Sequence, residues 1–243
     1  MELLRIRGGR VIGRQHSLAG KNSQDAYQIY EPEIITSLFS EPKVFRAGIL
    51  SDGCGSTKTS EVGANLIVQK IVSILCESKV VRMCRRWSLE EIIDYIEDST
   101  YEFLDELSRG WRQIPFVQDN LLATILGFVT NGKKLVIFSS GDGTIFLDDD
   151  VLVIDEDNTP SYFAYRLFEK QVSFKRIEVD LQKVQRVAIA SDGFEPELIN
   201  EFWGKEHPNG VQRLLNVYSK KKHFLDDATL ITLEKIQGEG GRK

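Results

Sequence analysis

The sequence predicts an α+β protein in which helices cover antiparallel sheets. Strand-like apolar segments come first along the chain, two amphipathic helices follow, and most of the remaining strands lie in the second half. This order is typical of antiparallel sheets rather than of alternating β-α-β units. The sequence also has no G-x-G-x-x-G motif after a first strand and no G-x-x-x-x-G-K-S/T loop, which disfavours the nucleotide-binding α/β folds.

Size and composition limit the classes of protein that fit. With 243 residues, 42% hydrophobic and 28% charged, the chain can bury a core as one globular domain spanning residues 1–243. Its net charge of −5 does not favour nucleic acid or an anionic membrane as a partner. The three cysteines form no C-x-x-C pair, and no stretch approaches the roughly 18 apolar residues of a membrane span. We therefore expect a cytoplasmic, monomeric protein.

The first part of the chain predicts strands joined by a polar loop. Residues 3–15 have the pattern of one or two short strands, broken at Gly8 and Gly9. A polar loop leads from there to a strand over residues 26–30. The apolar residues 45–50 then predict a buried strand.

Two amphipathic helices are predicted next. From Ser60 to about residue 78, apolar residues recur at intervals of three and four, which places them on one helical face. Ser88 and Glu91 form a capping-box pattern at the start of the second helix, whose apolar stripe runs to Gly110. Since each helix has one apolar face, the two should pack together and against a sheet.

The second half of the chain predicts mainly strands. Asn131-Gly132 is the strongest hairpin signal, because this dipeptide favours a tight turn between antiparallel strands. The predicted strands cover residues 121–130, 134–139, 144–147, 151–154, 171–179, 184–190 and 228–233. Residues 155–165 form a polar loop with aromatic side chains, long enough to act as a flap. Short helices are predicted over residues 195–200 and 211–217.

Three of the apolar strands end in an Asp-Gly pair, at Asp52, Asp142 and Asp192. One such pair is ordinary turn chemistry, but its recurrence predicts that several carboxylates gather at one end of the core. Asp25 and Asp226 also stand at predicted strand edges. Crowded carboxylates need a counter-charge, and no matching arginines stand near them in the sequence. Oxygen ligands of this kind favour Mg²⁺ or Mn²⁺.

Such ions also suggest a mechanism. Two ions roughly 3.5–4 Å apart share a water molecule, lower its pKa and stabilise the charge on a phosphoryl group during in-line attack. The sequence has no G-x-S-x-G motif and no Cys-His pair at the spacing of a known family, so it lacks a convincing protein nucleophile. Metal-activated water is therefore the favoured chemistry.

Five segments carry these aspartates: NSQDA (22–26), SDGCGS (51–56), SSGDGTIFL (139–147), ASDGF (190–194) and DDATLITL (226–233). They occur in the order found in the metal-dependent type 2C serine/threonine protein phosphatases, and the chain resembles that family. His16, upstream of Gln24 and Asp25, makes it similar to the bacterial branch. The matching blocks span residues 13–233, nearly the whole chain.

The resemblance implies a four-layer α-β-β-α sandwich with two central antiparallel sheets and metal ions at one end of them. By motif position, Asp52 would bridge two catalytic ions, and the carbonyl of Gly53 would bind one of them. Asp192 and Asp226 would hold the first ion, and Asp25 would act on the second through a water molecule. These four aspartates form the predicted catalytic set.

The resemblance also assigns Asp142 and decides between two neighbouring aspartates. Asp142 matches the residue that binds an additional, looser ion in bacterial members. Between the neighbours Asp226 and Asp227, the match favours Asp226 as the ligand, because the family ligand precedes an Asp or Asn and then x-Thr.

The sequence departs from the family pattern around the substrate phosphate. Many members hold this phosphate with an arginine a few residues before the first-block aspartate, and Gly20 stands there in this chain. His16, Lys21 and Arg14 are the candidates to replace it, although a lysine lacks the bidentate fork of an arginine. Cys54 stands where animal members often have a histidine proposed as general acid. These departures bear on turnover and substrate preference rather than on metal binding.

The leading hypothesis is a Mg²⁺- or Mn²⁺-dependent phosphatase that removes phosphate from serine and threonine side chains of proteins. It would oppose a bacterial Ser/Thr kinase. The alternative is a pseudophosphatase, a folded metal-binding module that recognises a phosphoprotein with little turnover. A phosphatase of small phosphorylated metabolites is the third hypothesis.

Overall fold

The structure is a computed structural model that describes residues 3–32, 45–77, 80, 88–109, 113–157, 159–168 and 171–236. Ten strands within these ranges form two five-stranded sheets. The first has the order β1 (Leu3–Val11), β10 (Ala228–Ile236), β9 (Arg186–Ala190), β6 (Gly143–Leu147) and β7 (Asp150–Ile154). The second has the order β2 (Ala26–Tyr30), β3 (Arg46–Ser51), β4 (Ile125–Thr130), β5 (Lys134–Ser140) and β8 (Lys175–Asp180). All neighbouring strands are antiparallel, so β3 and β5 run in the same direction.

An apolar core fills the space between the two sheets. Leu50, Leu126 and Ile137 enter it from the second sheet, and Ile189 and Ile231 enter it from the first. Successive side chains on a strand point to opposite faces, so a strand that is buried throughout must be covered on both sides. Every residue of β4 is buried, which requires a further layer outside the second sheet.

Helices supply that outer layer on both sheets. The helices are α1 (Arg14–Ala19), α2 (Ser60–Cys76), α3 (Leu89–Ser108), α4 (Gln113–Asn120), α5 (Ile199–Phe202) and α6 (Gly210–Lys220), with short 3₁₀ helices at Phe163–Phe168 and Pro196–Leu198. Ile67 of α2 and Ile92 of α3 share a buried cluster with Ile49 of the second sheet. Leu215 of α6 shares one with Leu230 of the first sheet. The resulting α-β-β-α layers confirm the predicted fold class. None of the described helices is long and apolar enough to cross a membrane.

Several sequence signals behave as predicted. Ser88 and Glu91 form the capping box of α3, since each side chain accepts a hydrogen bond from the backbone N–H of the other. The dipeptide Asn131-Gly132 joins β4 to β5, with Gly132 in the left-handed region at φ +87°. Gly110, the predicted end of the second helix, lies outside the described residues.

Three local predictions are wrong. β1 continues through Gly8 and Gly9 without a break, because it pairs with β10 along its whole length. The residues of α1 were predicted to be strand and loop, but the helix buries none of its side chains and therefore leaves no apolar periodicity in the sequence. α4 occupies the segment predicted as a short loop before the hairpin, and β4 consequently starts at Ile125 rather than at residue 121.

Candidate active site

The aspartates at the strand ends line one pocket. Asp52 follows β3, Asp142 follows β5 and Asp192 follows β9. Because β3 and β5 run in the same direction, their last residues lie at the same edge of the second sheet. β9 brings Asp192 to the same place from the facing sheet, and Asp226 reaches it from the segment before β10. Together these residues line a cavity of about 230 Å³.

Asp25 lies beneath this pocket and is fully buried, with 0% of its surface exposed. Its Oδ2 accepts hydrogen bonds from the hydroxyls of Ser191 (2.8 Å) and Thr229 (2.6 Å). Its Oδ1 is also buried and accepts no hydrogen bond from any described residue. Burial raises the pKa of Asp25 to about 6, although the hydrogen bonds from the two hydroxyls act in the opposite direction.

The carboxylate of Asp52 contacts those of Asp25 and Asp192. Burial and these two negative charges raise the pKa of Asp52 well above its usual range. The backbone of Asp52 is fixed by Thr124, whose Oγ1 accepts from the Asp52 N–H (3.1 Å) and whose N–H donates to the Asp52 carbonyl (2.8 Å). Within the described residues, no lysine or arginine forms an ion pair with these three carboxylates.

Asp226 and Asp227 are neighbours that differ in exposure. The Asp226 side chain is 55% exposed and lines the pocket. Asp227 is only 2% exposed, and its two oxygens accept hydrogen bonds from the N–H groups of Gly13 (2.6 Å) and Gln24 (2.5 Å). Asp227 therefore ties the segment before β10 to the residues that flank α1.

Two glycines allow the backbone to approach this segment closely. A Cβ at Gly13 would lie 2.2 Å from the carbonyl carbon of Asp226, and one at Gly193 would lie 2.0 Å from the carbonyl oxygen of Asp227. Both distances are shorter than any real contact, so no larger residue fits without moving the backbone. The glycine of the Asp192-Gly193 pair thus serves close packing rather than a left-handed turn, since its φ is not positive.

His16 reaches the pocket from α1. Its Nδ1 lies 3.0 Å from Oδ2 of Asp227 and 3.4 Å from Oδ1 of Asp226. The potential ligand atoms of these three residues all lie within 4.8 Å of one another. Both oxygens of Asp227 already accept backbone hydrogen bonds, and no described residue forms a hydrogen bond with Nδ1 of His16, so His16 lies beside the two aspartates without a hydrogen bond that fixes its ring.

The other predicted residues lie at the edges of the site. Asp142 lines the pocket, and its Oδ1 accepts a hydrogen bond from the N–H of Glu156 (2.8 Å). Partial burial, together with nearby acidic groups that include Glu156 and Asp192, raises its pKa. Lys21 is exposed and does not line the pocket; its Nζ donates to the carbonyl of Gly55 at 3.1 Å, which places it at the rim.

Some lining residues lie outside the segments that predicted the site, among them Thr124, Pro160 and Tyr162. Thr124 precedes β4, and nothing in the sequence distinguishes it from other threonines. Pro160 and Tyr162 belong to the loop predicted as a flap, of which residue 158 lies outside the described part. Tyr162 is 8% exposed, and burial and its contact with Cys54 raise its pKa. The aromatic content of the loop was the available signal, and it did not show which ring turns inwards.

The residues present fit hard divalent cations. Asp25, Asp52 and Asp192 form a row of contacting carboxylates, and Oδ1 of Asp25 is a buried oxygen without a donor. Such a row is stable only when protons or cations neutralise it. The carboxylates of the pocket and the carbonyl of Gly53 are oxygen ligands of the kind that Mg²⁺ and Mn²⁺ prefer.

The sequence matches the family described as Protein phosphatase 2C over residues 12–228. The chain belongs to this family. The predicted resemblance is thereby confirmed, and so is the prediction that the chain is an enzyme of the phosphatase class. The protein phosphatase 2C family is metal-dependent, and its substrates are phosphoproteins. A search of curated proteins finds no match.

Similar solved structures are bacterial serine/threonine phosphatases. One is the enzyme of S. agalactiae, with a TM-score of 0.66 and 15% identity, covering 96% of this chain and 99% of that one. Another is Stp1 of Staphylococcus aureus, with a TM-score of 0.61 and 18% identity over 97% and 96% of the two chains. A third is the catalytic domain of PstP in complex with two manganese ions, with a TM-score of 0.64 and 13% identity over 98% and 100%. At these identities the likeness concerns the fold.

Proposed function

We propose that this protein phosphatase 2C hydrolyses phosphoserine and phosphothreonine in proteins with the help of two Mg²⁺ or Mn²⁺ ions. The observation that carries the proposal is the row formed by Asp25, Asp52 and Asp192, three contacting carboxylates that no described lysine or arginine neutralises. The two manganese ions in the PstP complex support the same stoichiometry.

In this proposal each carboxylate has a separate task. Asp52 and the carbonyl of Gly53 would be ligands of these ions. Asp192 and Asp226 would complete the ligands of the first ion, and the buried Asp25 would support the second from beneath. When bound, the ions supply a water molecule of lowered pKa as the nucleophile and neutralise the phosphate oxygens.

Residues at the pocket wall would serve the substrate. His16, which lines the pocket beside Asp226 and Asp227, is placed to contact the phosphate or to move a proton at its ring nitrogen. Lys21 would add a positive charge from the rim. Asp142 lines the same pocket and would hold a third, more loosely bound ion.

The biological setting follows from the substrate class. A phosphoprotein substrate requires a protein kinase that phosphorylates it, so we place the enzyme opposite a Ser/Thr kinase. We further propose that residues 1–243 act as one domain and as a monomer in the cytoplasm.

Hydrolysis of a phosphothreonine peptide with and without Mn²⁺ tests the proposal. The wild-type chain should turn over only with the metal, and Asp52→Asn should remove the activity. The matched control is Asp157→Asn, which changes an exposed carboxylate that does not line the pocket. Activity that persists in excess EDTA, or that is unchanged in Asp52→Asn, contradicts the proposal.

One observation favours a pseudophosphatase as the second candidate. No described arginine or lysine lines the pocket, and the candidate cation Lys21 donates to the carbonyl of Gly55. A phosphate group would therefore be held without the bidentate fork of an arginine. Phosphopeptide binding with negligible turnover at saturating Mn²⁺ would favour this candidate, and robust turnover excludes it.

A further inference from the structure

A second cavity, of about 550 Å³, lies at the edge of the sandwich where β1 runs beside β2. It is more than twice as large as the active-site pocket of about 230 Å³, and the two cavities share no lining residue. Arg7 and Arg10 of β1, Tyr27 of β2, and Asn209 at the start of α6 are among the residues that line it. A cavity of this size is typical of small-molecule sites.

The two arginines of this cavity have unused donor capacity. The guanidinium of Arg7 donates to the carbonyls of Ile6 (2.6 Å) and Glu206 (3.2 Å), while its Nε is buried without an acceptor. Arg10 donates to the carbonyl of Asp25. In the described part of the chain, neither arginine lies within 4.0 Å of a carboxylate. Two partly buried cations therefore line one cavity without an ion-pair partner among the described residues.

The start of α6 adds to the positive potential. Pro208 and Asn209 line the cavity, and the side chain of Asn209 makes no capping hydrogen bond with the helix. The first turn of α6 contains no acidic residue. β1 lies directly against this turn, since a Cβ at Gly9 would lie 2.7 Å from Cα of Gln212. A helix N-terminus without a side-chain cap, beside two arginines, favours an anion.

Glu31 is the only acidic residue among the described lining residues. Its Oε1 lies 3.9 Å from Nε of Arg46, which offsets its charge, and its side chain is 38% exposed. The lining residues therefore carry a net positive charge, which comes from Arg7 and Arg10.

We propose that this cavity is a second ligand site, which binds a phosphate monoester through Arg7, Arg10 and the N-terminus of α6. Guanidinium groups form strong, geometrically specific hydrogen bonds with phosphate oxygens. Inorganic phosphate would leave most of the cavity empty. Tyr27 and Asn65 line the remaining space, which can hold the organic group of a monoester. The site is independent of the proposed reaction, and its ligand would not be the substrate of the metal pocket.

Titration calorimetry with phenylphosphonate, a non-hydrolysable analogue of a phosphate monoester, tests this proposal. The full chain is titrated with Mn²⁺ and again in EDTA, and inorganic phosphate serves as the ligand without an organic group. We expect one saturable site that persists in EDTA and binds phenylphosphonate more tightly than phosphate. Arg7→Gln and Arg10→Gln should each weaken binding about tenfold, because each removes a charge-assisted contact.

Arg5→Gln is the matched control, because Arg5 lies on the same strand but does not line the cavity; it should change the affinity by less than about twofold. Arg10→Lys keeps a donor for the carbonyl of Asp25, so it distinguishes lost binding from lost folding, and thermal midpoints are compared for all variants. Absence of saturable binding in EDTA overturns the proposal. Equal affinity of Arg7→Gln and Arg5→Gln for phenylphosphonate also overturns it. Binding that is lost in Asp192→Asn but kept in Arg7→Gln overturns it as well. None of these outcomes depends on turnover, so the proposed reaction stands or falls separately.

Discussion

Asp226 and Asp227 are neighbours in the chain, yet they lie in opposite environments. Asp227 and Asp25, here the inner carboxylates, are buried and accept hydrogen bonds from backbone N–H groups or hydroxyls. Asp226 and Asp192, here the outer carboxylates, are exposed at the pocket. The same side chain thus serves two purposes within one site.

The hydrogen-bond donors of the fold explain this difference. A buried carboxylate is stable only when donors or cations compensate for lost hydration, and the inner carboxylates receive such donors from four separate segments of the chain. The outer carboxylates remain accessible and are free to accept a ligand. We infer that the inner pair mainly holds the segments together, with Asp25 also facing the proposed ions from beneath, while the outer pair binds from the pocket. Substitutions in the two pairs should therefore affect stability and activity in opposite proportions.

The largest effect is expected for Asp192→Asn. This change removes an outer carboxylate from the row that faces the proposed ions, and turnover of a phosphothreonine peptide should fall by at least about 10³-fold. The thermal midpoint of the metal-free protein should stay the same or rise, because a negative charge beside Asp52 is lost. Bound Mn²⁺ per chain is measured alongside, with Asp157→Asn as the control. Unchanged turnover would remove Asp192 from the proposed ligand set.

The next largest effect is expected for Asp227→Ala. The N–H groups of Gly13 and Gln24 would lose their acceptor in a buried region, which should lower the free energy of unfolding by about 2–4 kcal/mol. Asp226→Ala is the matched substitution one residue earlier, and it should cost less than about 1 kcal/mol because that side chain is exposed. Urea denaturation of both metal-free variants measures the difference. Equal losses would refute the division into inner and outer carboxylates.

The sequence revealed the carboxylates at the strand ends more readily than the buried support Asp227. Asp52, Asp142 and Asp192 each end an apolar strand, and the strand directions then bring them to one edge, so local pattern is sufficient to find them. The role of Asp227 depends on Gly13, more than 200 residues away, and no local pattern records that contact. The helix α1 around His16 was missed for the same reason, since it buries no side chain and is held by its surroundings.

A smaller effect is expected from pH, through Asp25. Its pKa is raised from 3.8 to about 6 in the folded, metal-free chain, so folding favours the protonated form. This contribution to stability is fully present below pH 3.8 and is lost as pH rises through about 6. At about 1.4 kcal/mol per pKa unit, this shift of about two units corresponds to a loss on the order of 3 kcal/mol. Urea midpoints of the metal-free wild type and of Asp25→Asn, compared between pH 4 and pH 7, measure it.

Two substitutions should differ in their effect on this pH dependence. Asp25→Asn should abolish this component of the pH dependence, while Asp157→Asn should leave it in place. Mn²⁺ should reverse the trend in the wild type, because a cation competes with the proton for the same oxygens. If the urea midpoint changes with pH equally in the wild type and in Asp25→Asn, the buried carboxylate does not titrate in this range.

The smallest effect is expected for Ser191→Ala, which tests how the inner carboxylate is held. The hydroxyl of Ser191 donates to Asp25 (2.8 Å) and accepts from the N–H of Thr229 (2.9 Å), so its removal leaves two buried groups with one partner fewer. We expect a loss of about 1–2 kcal/mol in the free energy of unfolding. Because that hydrogen bond lowers the pKa of Asp25, its loss should also move the stability change with pH to higher pH. Thr229→Ser keeps the second hydroxyl and should leave that pH unchanged. If both variants behave alike, the hydroxyls do not determine the protonation of Asp25, and burial alone accounts for it.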